Sequence, residues 1–143
     1  LRRLVEDMFE TMYAARGVGL AAPQIGINRR LFVMDCSGGR DAAERVVLIN
    51  PEILATEGEV VEEEGCLSLP GLYAKVARPY RVLARGLDLD QREITLEVTG
   101  LAARCVCHEV DHLDGRLYIS RLSPLKRDLL ERKIRKMIKS GEW

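Results

Sequence analysis

The sequence His108-Glu109-Val110-Asp111-His112 guides the interpretation of this chain, because it contains both of its histidines. On a helix, residues four apart are separated by about 40° around the axis, so the two imidazoles point to the same side. Two imidazoles placed in this way form half of a tetrahedral metal site, and Glu109 lies one step round the helix as a base for water. We therefore predict a helix with a metal site at His108 and His112.

The composition of the 143 residues is typical of a globular protein, with 47% hydrophobic and 31% charged residues. The 22 Lys and Arg balance the 22 Asp and Glu, which argues against nucleic-acid binding through overall basic charge. Four cysteines are too few for a disulfide scaffold, and they favour free thiols or metal ligands in a reducing compartment. No apolar run approaches the roughly 18 residues of a membrane span. The length predicts one domain that covers residues 1–143.

Helical and strand-like patterns both occur outside the motif. Leu4, Met8 and Met12 follow helical spacing, and Pro124 is suited to the first turn of a last helix. The region 62–71 breaks all periodicity and predicts irregular backbone. Strand-like runs lie at 30–35, 45–50, 81–87 and 93–99. We therefore expect an α+β fold, with mostly antiparallel sheets packed around the central helix that carries the motif, and with a C-terminal helix.

The chain begins at Leu1, already inside the first helical pattern, and has no residue there that would cap the helix. A helix that begins without a cap has commonly lost the residues before it. We therefore expect that an N-terminal segment precedes Leu1 in the complete protein, and that any targeting segment belonged to it.

A catalytic metal needs a third protein ligand and an open position. One candidate is Glu131, which lies 19 residues after His112, as in a zinc peptidase. The other is Cys66, which lies between a glycine and a turn-forming Leu-Pro-Gly sequence, where irregular backbone often presents ligands. We favour Cys66, because the charged face of the last helix already explains Glu131.

Three sequences together resemble the signature motifs of the peptide deformylases: Gly17-Val-Gly-Leu-Ala-Ala-Pro-Gln24, Glu64-Gly-Cys-Leu-Ser68 and His108-Glu-Val-Asp-His112. They occur in the order of that family and at comparable separations, and the similarity extends from the first helix to Lys126. The resemblance implies an α+β hydrolase that removes the N-formyl group from N-formylmethionine of newly synthesised polypeptides and releases formate. It also implies that one divalent metal ion is the cofactor.

The resemblance assigns a role to each matching residue. Glu109 would be the general acid and base, and Gln24 and the backbone N–H of Leu67 would donate to the oxyanion. Glu64 would pair with Arg78. The metal ligands would be Cys66, His108 and His112. The substrate-binding residues would be Gly19 and Gly65 along the peptide backbone, with Val18, Leu101 and Cys105 around the methionine side chain.

The identity of the metal follows less directly from the residues. A thiolate with two imidazoles suits zinc by its softness, whereas the resemblance implies Fe2+, with Zn2+, Ni2+ or Co2+ able to replace it. Two positions depart from the family pattern. Cys107 stands where the family usually has glutamine, and we expect its side chain to pack rather than to contact the metal. Tyr73 stands where family members frequently have arginine, so the substrate preference stays open.

The last predicted helix, residues 124–139, contains seven Lys and Arg against Asp128 and Glu131. It fits either an amphipathic helix with a solvated face or, by resemblance, a helix that docks on ribosomal RNA. Formylated nascent peptides are the expected partners, and we expect a monomer that contacts no membrane. The expected location is the bacterial cytoplasm, or a mitochondrion or plastid if a transit peptide preceded Leu1.

Two other functions remain open at this point. One is a zinc peptidase that uses Glu131 as its third ligand. The other is a metal-binding protein without catalysis, whose site is altered around Cys107.

Overall fold

A computed structural model describes residues 1–66, 69–115 and 124–139, with the backbone alone at residues 69–71, and within these ranges it contains three α-helices and seven strands. In chain order they are α1 (Arg2–Ala14), β1 (Gly19–Ala21), β2 (Leu31–Met34), β3 (Val46–Glu57), β4 (Val60–Cys66), β5 (Leu69–Arg78), β6 (Arg81–Leu87), β7 (Glu93–Thr99), α2 (Gly100–Leu113) and α3 (Pro124–Lys139). Short 3₁₀ turns at Ala22–Ile25 and Ala42–Glu44 complete the regular structure of the described residues. The α+β prediction is confirmed.

Five of these strands form one sheet in the order β1-β2-β3-β6-β7, and every neighbouring pair is antiparallel. The predicted hairpin of β6 and β7 is present, with pairs running from Arg81↔Thr99 to Leu87↔Glu93. Val82 and Ala84 on β6 are fully buried, and they pack with residues of α2 in one core cluster. This alternation of buried and exposed positions explains why the two strands could be recognised from the sequence.

The prediction of irregular backbone through residues 62–71 was wrong for the described residues of this region, because β4 and β5 extend into it and pair as a separate two-stranded sheet. Residues 67 and 68 lie outside the described residues. Its register changes between Gly65 and Cys66, where Cys66 comes to lie opposite Leu69. The alternation was hidden because Glu64, a charged residue within a run of three glutamates, is the buried position of β4. A buried glutamate is rare unless it is paired, so hydrophobicity alone gives no sign of this strand.

Helix α2 is the central element, as predicted from its motif. It follows β7 directly at Gly100 and is buried on most of its sides, including the polar residues Arg104, Glu109, Asp111 and His112. Helix α1 covers β1 and β2 with its buried apolar face, and α3 packs Leu130 against β5. Among the described residues, the helices are too short or too polar for any of them to cross a membrane.

Candidate metal centre and active site

The side chains of Cys66, His108 and His112 converge at one point between β4 and α2, and their potential ligand atoms all lie within 4.8 Å of one another. Sγ of Cys66 is 3.0 Å from Nε2 of His112, and this nitrogen is 3.1 Å from Nε2 of His108. The helical spacing of the two histidines produces half of this arrangement. The end of β4, where the register changes, supplies the thiol.

The chemistry of these three atoms and the two separations that involve His112 fit a divalent metal ion. With metal–sulfur and metal–nitrogen bonds of about 2.3 and 2.0–2.1 Å, tetrahedral ligand atoms lie about 3.3–3.6 Å apart. The separations of 3.0 and 3.1 Å in the structure differ from this range by only a few tenths of an ångström.

The imidazole of His108 is oriented by a hydrogen bond between its Nδ1 and Oε1 of Glu64. A carboxylate accepts but does not donate, so this contact assigns the ring proton to Nδ1 and leaves Nε2 with the lone pair that faces Cys66 and His112. Carboxylate partners of this kind fix the tautomer and the ring angle of metal-binding histidines.

Glu64 belongs to a buried network that joins the β4–β5 hairpin to α2. Arg78 donates to both of its carboxylate oxygens at 3.0 and 2.6 Å, which is the pair that the resemblance implied, and also to Oδ2 of Asp111 at 2.7 Å. Arg104 donates to Oε2 of Glu64 at 2.9 Å. Burial opposes ionisation of Glu64, but hydrogen bonds from His108 and Arg78 outweigh it and lower its pKa to about 2. Two guanidinium groups and two carboxylates thus balance one another in the core.

The sequence interpretation did not identify Arg104 or Asp111 as parts of this network. The only available signal was an arginine one helical turn before His108 on an otherwise apolar stretch of helix. An arginine buried to 6% exposure needs partners, and those partners come from strands that are distant in sequence.

Glu109 is 1% exposed and lies at the wall of the cavity beside the histidines. Its Oε2 atom has no hydrogen-bond partner among the described residues. Burial raises the pKa of this carboxyl to about 7, partly offset by the nearby histidines and reinforced by Cys66 and Glu64. A buried carboxylate oxygen that faces a cavity can accept a proton from a molecule bound there.

The amide of Gln24 is held in one orientation. Its Oε1 accepts a hydrogen bond from the backbone N–H of Ala21 at 2.8 Å, which directs its Nε2 towards Sγ of Cys66 at 3.6 Å. The N–H groups of this amide therefore point into the site. The backbone N–H of Leu67, to which the sequence interpretation assigned a similar role, lies outside the described residues.

A cavity of about 700 Å³ opens beside these groups. Its lining includes Val18, Gly19, Gln24, Gly65, Cys66, Leu101, Cys105, His108 and Glu109, which are the predicted site residues of the described chain other than His112. Gly19 packs so tightly that a Cβ there would lie 2.6 Å from Sγ of Cys105. Tyr73 also lines the cavity, is 65% exposed, and covers Gly65 with its ring.

The structure does not bring Glu131 to the histidines. It lies on α3, where Nε of Arg127 donates to it at 3.2 Å. Cys107 packs in the core beside Val106 and Val110 and is not part of the ligand cluster. The geometry therefore favours the Cys66 ligand set over the alternative of a peptidase.

Comparison with known proteins agrees with this site. The sequence model of the polypeptide deformylase family matches residues 1–128. A peptide deformylase of Acidobacterium capsulatum is 54% identical over 143 residues, which are 100% of this chain and 84% of that protein. One of Thermodesulfovibrio yellowstonii is 52% identical over 135 residues, which are 94% of this chain and 82% of that protein.

Solved structures give the same result. The crystal structure of a peptide deformylase from Legionella pneumophila superimposes with a TM-score of 0.88 at 46% identity, over 99% of this chain and 82% of that one. The peptide deformylase of Thermus thermophilus gives a TM-score of 0.88 at 46% identity, over 96% of this chain and 81% of that one. Sequence, fold and the arrangement of the three motifs agree, and the chain belongs to the polypeptide deformylase family.

Proposed function

We propose that the divalent metal ion with which this chain removes the N-formyl group from N-formylmethionine of newly synthesised polypeptides is held by Cys66, His108 and His112. The family to which the chain belongs carries out this hydrolysis with a metal ion. The observation that most directly supports the proposal is the convergence of the three ligand atoms within 4.8 Å beside the buried carboxyl of Glu109.

The donor set of one thiol and two imidazoles fits a divalent metal ion, and the family resemblance implies which ion it is. When bound, a divalent ion would supply a Lewis acid that polarises a carbonyl oxygen and lowers the pKa of a coordinated water towards about 7. We propose Fe2+ as the ion in the cell, with Zn2+, Ni2+ or Co2+ able to replace it at the same ligands. The thiol of Cys66 would make an iron-loaded site sensitive to oxidation, because thiolates are oxidised readily.

Glu109 moves the proton in this proposal. Its Oε2, which has no partner among the described residues, accepts a proton from the attacking water as the water oxygen bonds to the formyl carbon. As the carbon–nitrogen bond breaks, the same oxygen returns the proton to the departing amine. General acid–base transfer of this kind contributes about 10²–10⁴-fold to a rate.

Gln24 stabilises the oxyanion that develops on the formyl oxygen. Its Nε2 is aimed into the site by the hydrogen bond to Ala21, and an amide donates without titrating. A single donor of this type is commonly worth about 10²–10³ in rate. We assign the second donor to the backbone N–H of Leu67, as the family resemblance implies.

The cavity accommodates the substrate. Among the described residues β4 pairs with β5, and its other edge remains available for an extended peptide to add as a strand. Gly65 and Gly19 would let the peptide backbone approach closely, since neither has a side chain. Val18, Leu101 and Cys105 lie in the wall of the same cavity and would contact the methionine side chain.

The test is release of formate from a formyl-Met peptide by the Fe2+-loaded chain under anaerobic conditions. We expect release by the parent chain and its loss in Glu109→Ala. Activity that survives Glu109→Ala would contradict the assigned proton transfer. Metal content separates the ligand sets, because the proposal requires Cys66→Ser to lose metal and Glu131→Gln to keep it.

We propose further that α3 docks the chain on ribosomal RNA. Its exposed side carries Arg132, Arg135, Lys136 and Lys139, whereas Leu130 faces β5. Changing these four residues to Gln removes four of the seven positive charges of α3 and keeps its packing, so we expect the variant to co-sediment more weakly with ribosomes. Equal co-sedimentation of parent and variant would contradict the proposal.

Residues 1–143 would then act as one catalytic domain, as a monomer, in the bacterial cytoplasm where formylated chains are made. Light scattering at the mass of a single chain would support the monomer, and a dimer mass would contradict it.

A further inference from the structure

The ligands of the candidate metal site come from two elements that no described strand pairing joins. Cys66 lies at the end of β4, in the two-stranded sheet, whereas His108 and His112 lie on α2. The separation of the thiol from the two imidazoles therefore depends on how the β4–β5 hairpin is held against α2. Side chains that cross this junction control that separation.

Arg104 crosses the junction and contacts the hairpin at three places. From α2, its Nη1 donates to Oε2 of Glu64 and to the carbonyl oxygen of Val76, each at 2.9 Å. Its Nη2 donates to the carbonyl oxygen of Val60 at 2.7 Å. Val60 and Glu64 lie on β4 and Val76 lies on β5, so one side chain binds both strands of the hairpin to the helix.

These contacts need the shape of a guanidinium group. Its planar fork presents several N–H groups in fixed directions, whereas a lysine ammonium is a compact charge at the end of a flexible chain. Arg104 is only 6% exposed, so its position is well defined and its donors have few water molecules as alternative partners. A side chain with one donor direction could not reach Val60 and Glu64 together.

The orientation of His108 does not depend on Arg104. Arg78 donates to both oxygens of Glu64, so this carboxylate keeps its orientation towards Nδ1 of His108 without help from Arg104. The contacts that Arg104 alone supplies are those to the backbone of the hairpin, at Val60 and Val76. Arg104 therefore affects the metal site through the position of β4, the strand that carries Cys66.

We propose that Arg104 is a positioning residue for the metal site: by fixing the β4–β5 hairpin on α2, it places Sγ of Cys66 at ligand distance from His108 and His112. The inference rests on the proposed metal-binding function of these three residues. The proposed role acts on the thiol of Cys66 and not on the two imidazoles. A general loss of stability would not depend on the thiol, so the two effects can be distinguished by experiment.

The experiment measures binding of Co2+ to the purified chain by competition with a chelator, together with the thiolate-to-cobalt absorption band and the urea unfolding of the metal-free chain. Arg104→Met keeps the aliphatic stem and removes the donors, and we expect Co2+ to bind about 10–100-fold more weakly with a diminished thiolate band. Arg104→Lys keeps the charge and one donor group, and we expect a smaller loss. Val5→Ala, in the distant core under α1, serves as a control that is destabilised but binds Co2+ like the parent.

A double-mutant cycle with Cys66→Ala tests whether Arg104 affects metal affinity through Cys66. If Arg104 acts by placing Cys66, Arg104→Met should change Co2+ affinity by no more than about twofold once the thiol is gone. An equal loss in both backgrounds would overturn the proposal, and so would parent-like affinity and absorption in Arg104→Met. If Arg104→Met does not fold, the same comparison with Arg104→Lys decides, and unchanged binding in that variant overturns it.

Failure of the metal site itself would look different. If Cys66→Ala binds Co2+ as tightly as the parent, the proposed ligand set is wrong whatever Arg104 does. If Cys66→Ala loses affinity and Arg104→Met does not, the ligand set stands and the positioning role of Arg104 is refuted.

Discussion

Nδ1 of His108 and Oε1 of Glu64 share a hydrogen bond, and this contact determines which nitrogen of the imidazole faces the other two candidate ligands. Glu64 lies on β4 and His108 on α2, so the same contact also joins the two parts of the site. The carboxylate does not reach the proposed metal position. It acts on the site by orienting a side chain that does.

Replacement of Glu64 by Gln should therefore weaken metal binding. The side-chain amide of the new glutamine has only one oxygen acceptor, and its N–H group would face donors that now bind the carboxylate. His108 would then lose its fixed orientation, and we expect about 10–100-fold lower affinity for Zn2+ in a chelator competition. The substitution would also leave Asp111 as the one carboxylate in this network for two buried guanidinium groups, those of Arg78 and Arg104. We expect this loss of a buried negative charge to lower the free energy of unfolding by about 3–5 kcal/mol. Glu62→Gln, an exposed neighbour on β4, is the matched control, and an unchanged affinity in Glu64→Gln would contradict the orienting role.

Replacement of Glu109 by Gln keeps the shape of the side chain and removes its ability to accept a proton. We expect kcat for formate release to fall by about 10²–10⁴-fold. Because Glu109 is not one of the three converging ligands, metal content should stay at the parent level. A variant that loses its metal along with its activity would show that Glu109 supports the site rather than moving the proton.

The sequence predicted those parts of the site that depend on local spacing. The two histidines four residues apart on a helix, and Glu109 between them, are contained in one turn and need no tertiary information. Cys66 was weighed against Glu131, because the choice depends on which distant element meets α2. The fold favours Cys66, because it places the end of β4 there and pairs Glu131 with Arg127.

Apart from the pair of Glu64 and Arg78, which the family resemblance implied, the buried network could not be predicted in the same way. Glu64 lies in a run of glutamates that resembles a solvated segment, and Arg104 resembles any surface arginine of a helix. Charged residues are buried only where partners from other elements meet them, which the sequence does not display. The error at residues 62–71 has the same origin, since the inward position of β4 is charged rather than apolar.

The loop after β2 gives a prediction on acid stability away from the metal site. Asp35 is fully buried and accepts hydrogen bonds from the hydroxyl of Tyr13 at 2.5 Å and from the backbone and hydroxyl of Ser37 at 2.8 and 2.6 Å. Burial alone would raise the pKa of this carboxyl, but the hydrogen bonds from Ser37 and Tyr13 outweigh it and hold the pKa below its usual range.

The sign of the pH dependence follows from this shift. As pH falls, the unfolded chain protonates Asp35 at about pH 4 while the folded chain still holds it ionised. The contribution to stability is therefore complete above about pH 4 and is lost as pH falls through the lower pKa of the folded state. Asp35→Asn should lower the free energy of unfolding by about 1–3 kcal/mol at pH 7, and by clearly less below pH 3.

Urea unfolding of the metal-free chain at both pH values measures this difference without interference from metal loss. Asp7→Asn, at an exposed position of α1, is the control and should show little change at either pH. A difference between parent and Asp35→Asn that stays the same at pH 7 and below pH 3 would refute the interpretation.

Two glycines of the cavity wall should differ in how they tolerate a methyl group. A Cβ at Gly19 would lie 2.6 Å from Sγ of Cys105 and 3.1 Å from side-chain carbons of Glu109, both of which are buried and unable to move away. A Cβ at Gly65 would meet the ring of Tyr73 at 2.6 Å, but that side chain is 65% exposed and can rotate into solvent, which leaves only a milder contact of 3.3 Å with the carbonyl oxygen of Leu72.

We therefore expect Gly19→Ala to lower the free energy of unfolding by about 1–3 kcal/mol and Gly65→Ala to lower it by less than about 1 kcal/mol. Formate release should fall strongly in Gly19→Ala, because Glu109 is displaced from its position. Adding Cys105→Ala removes the sulfur atom and should restore part of the stability of Gly19→Ala, but less of its activity, since the contact with Glu109 remains. Equal stability losses in the two single variants would show that the close approach at Gly19 is not the constraint that the structure indicates.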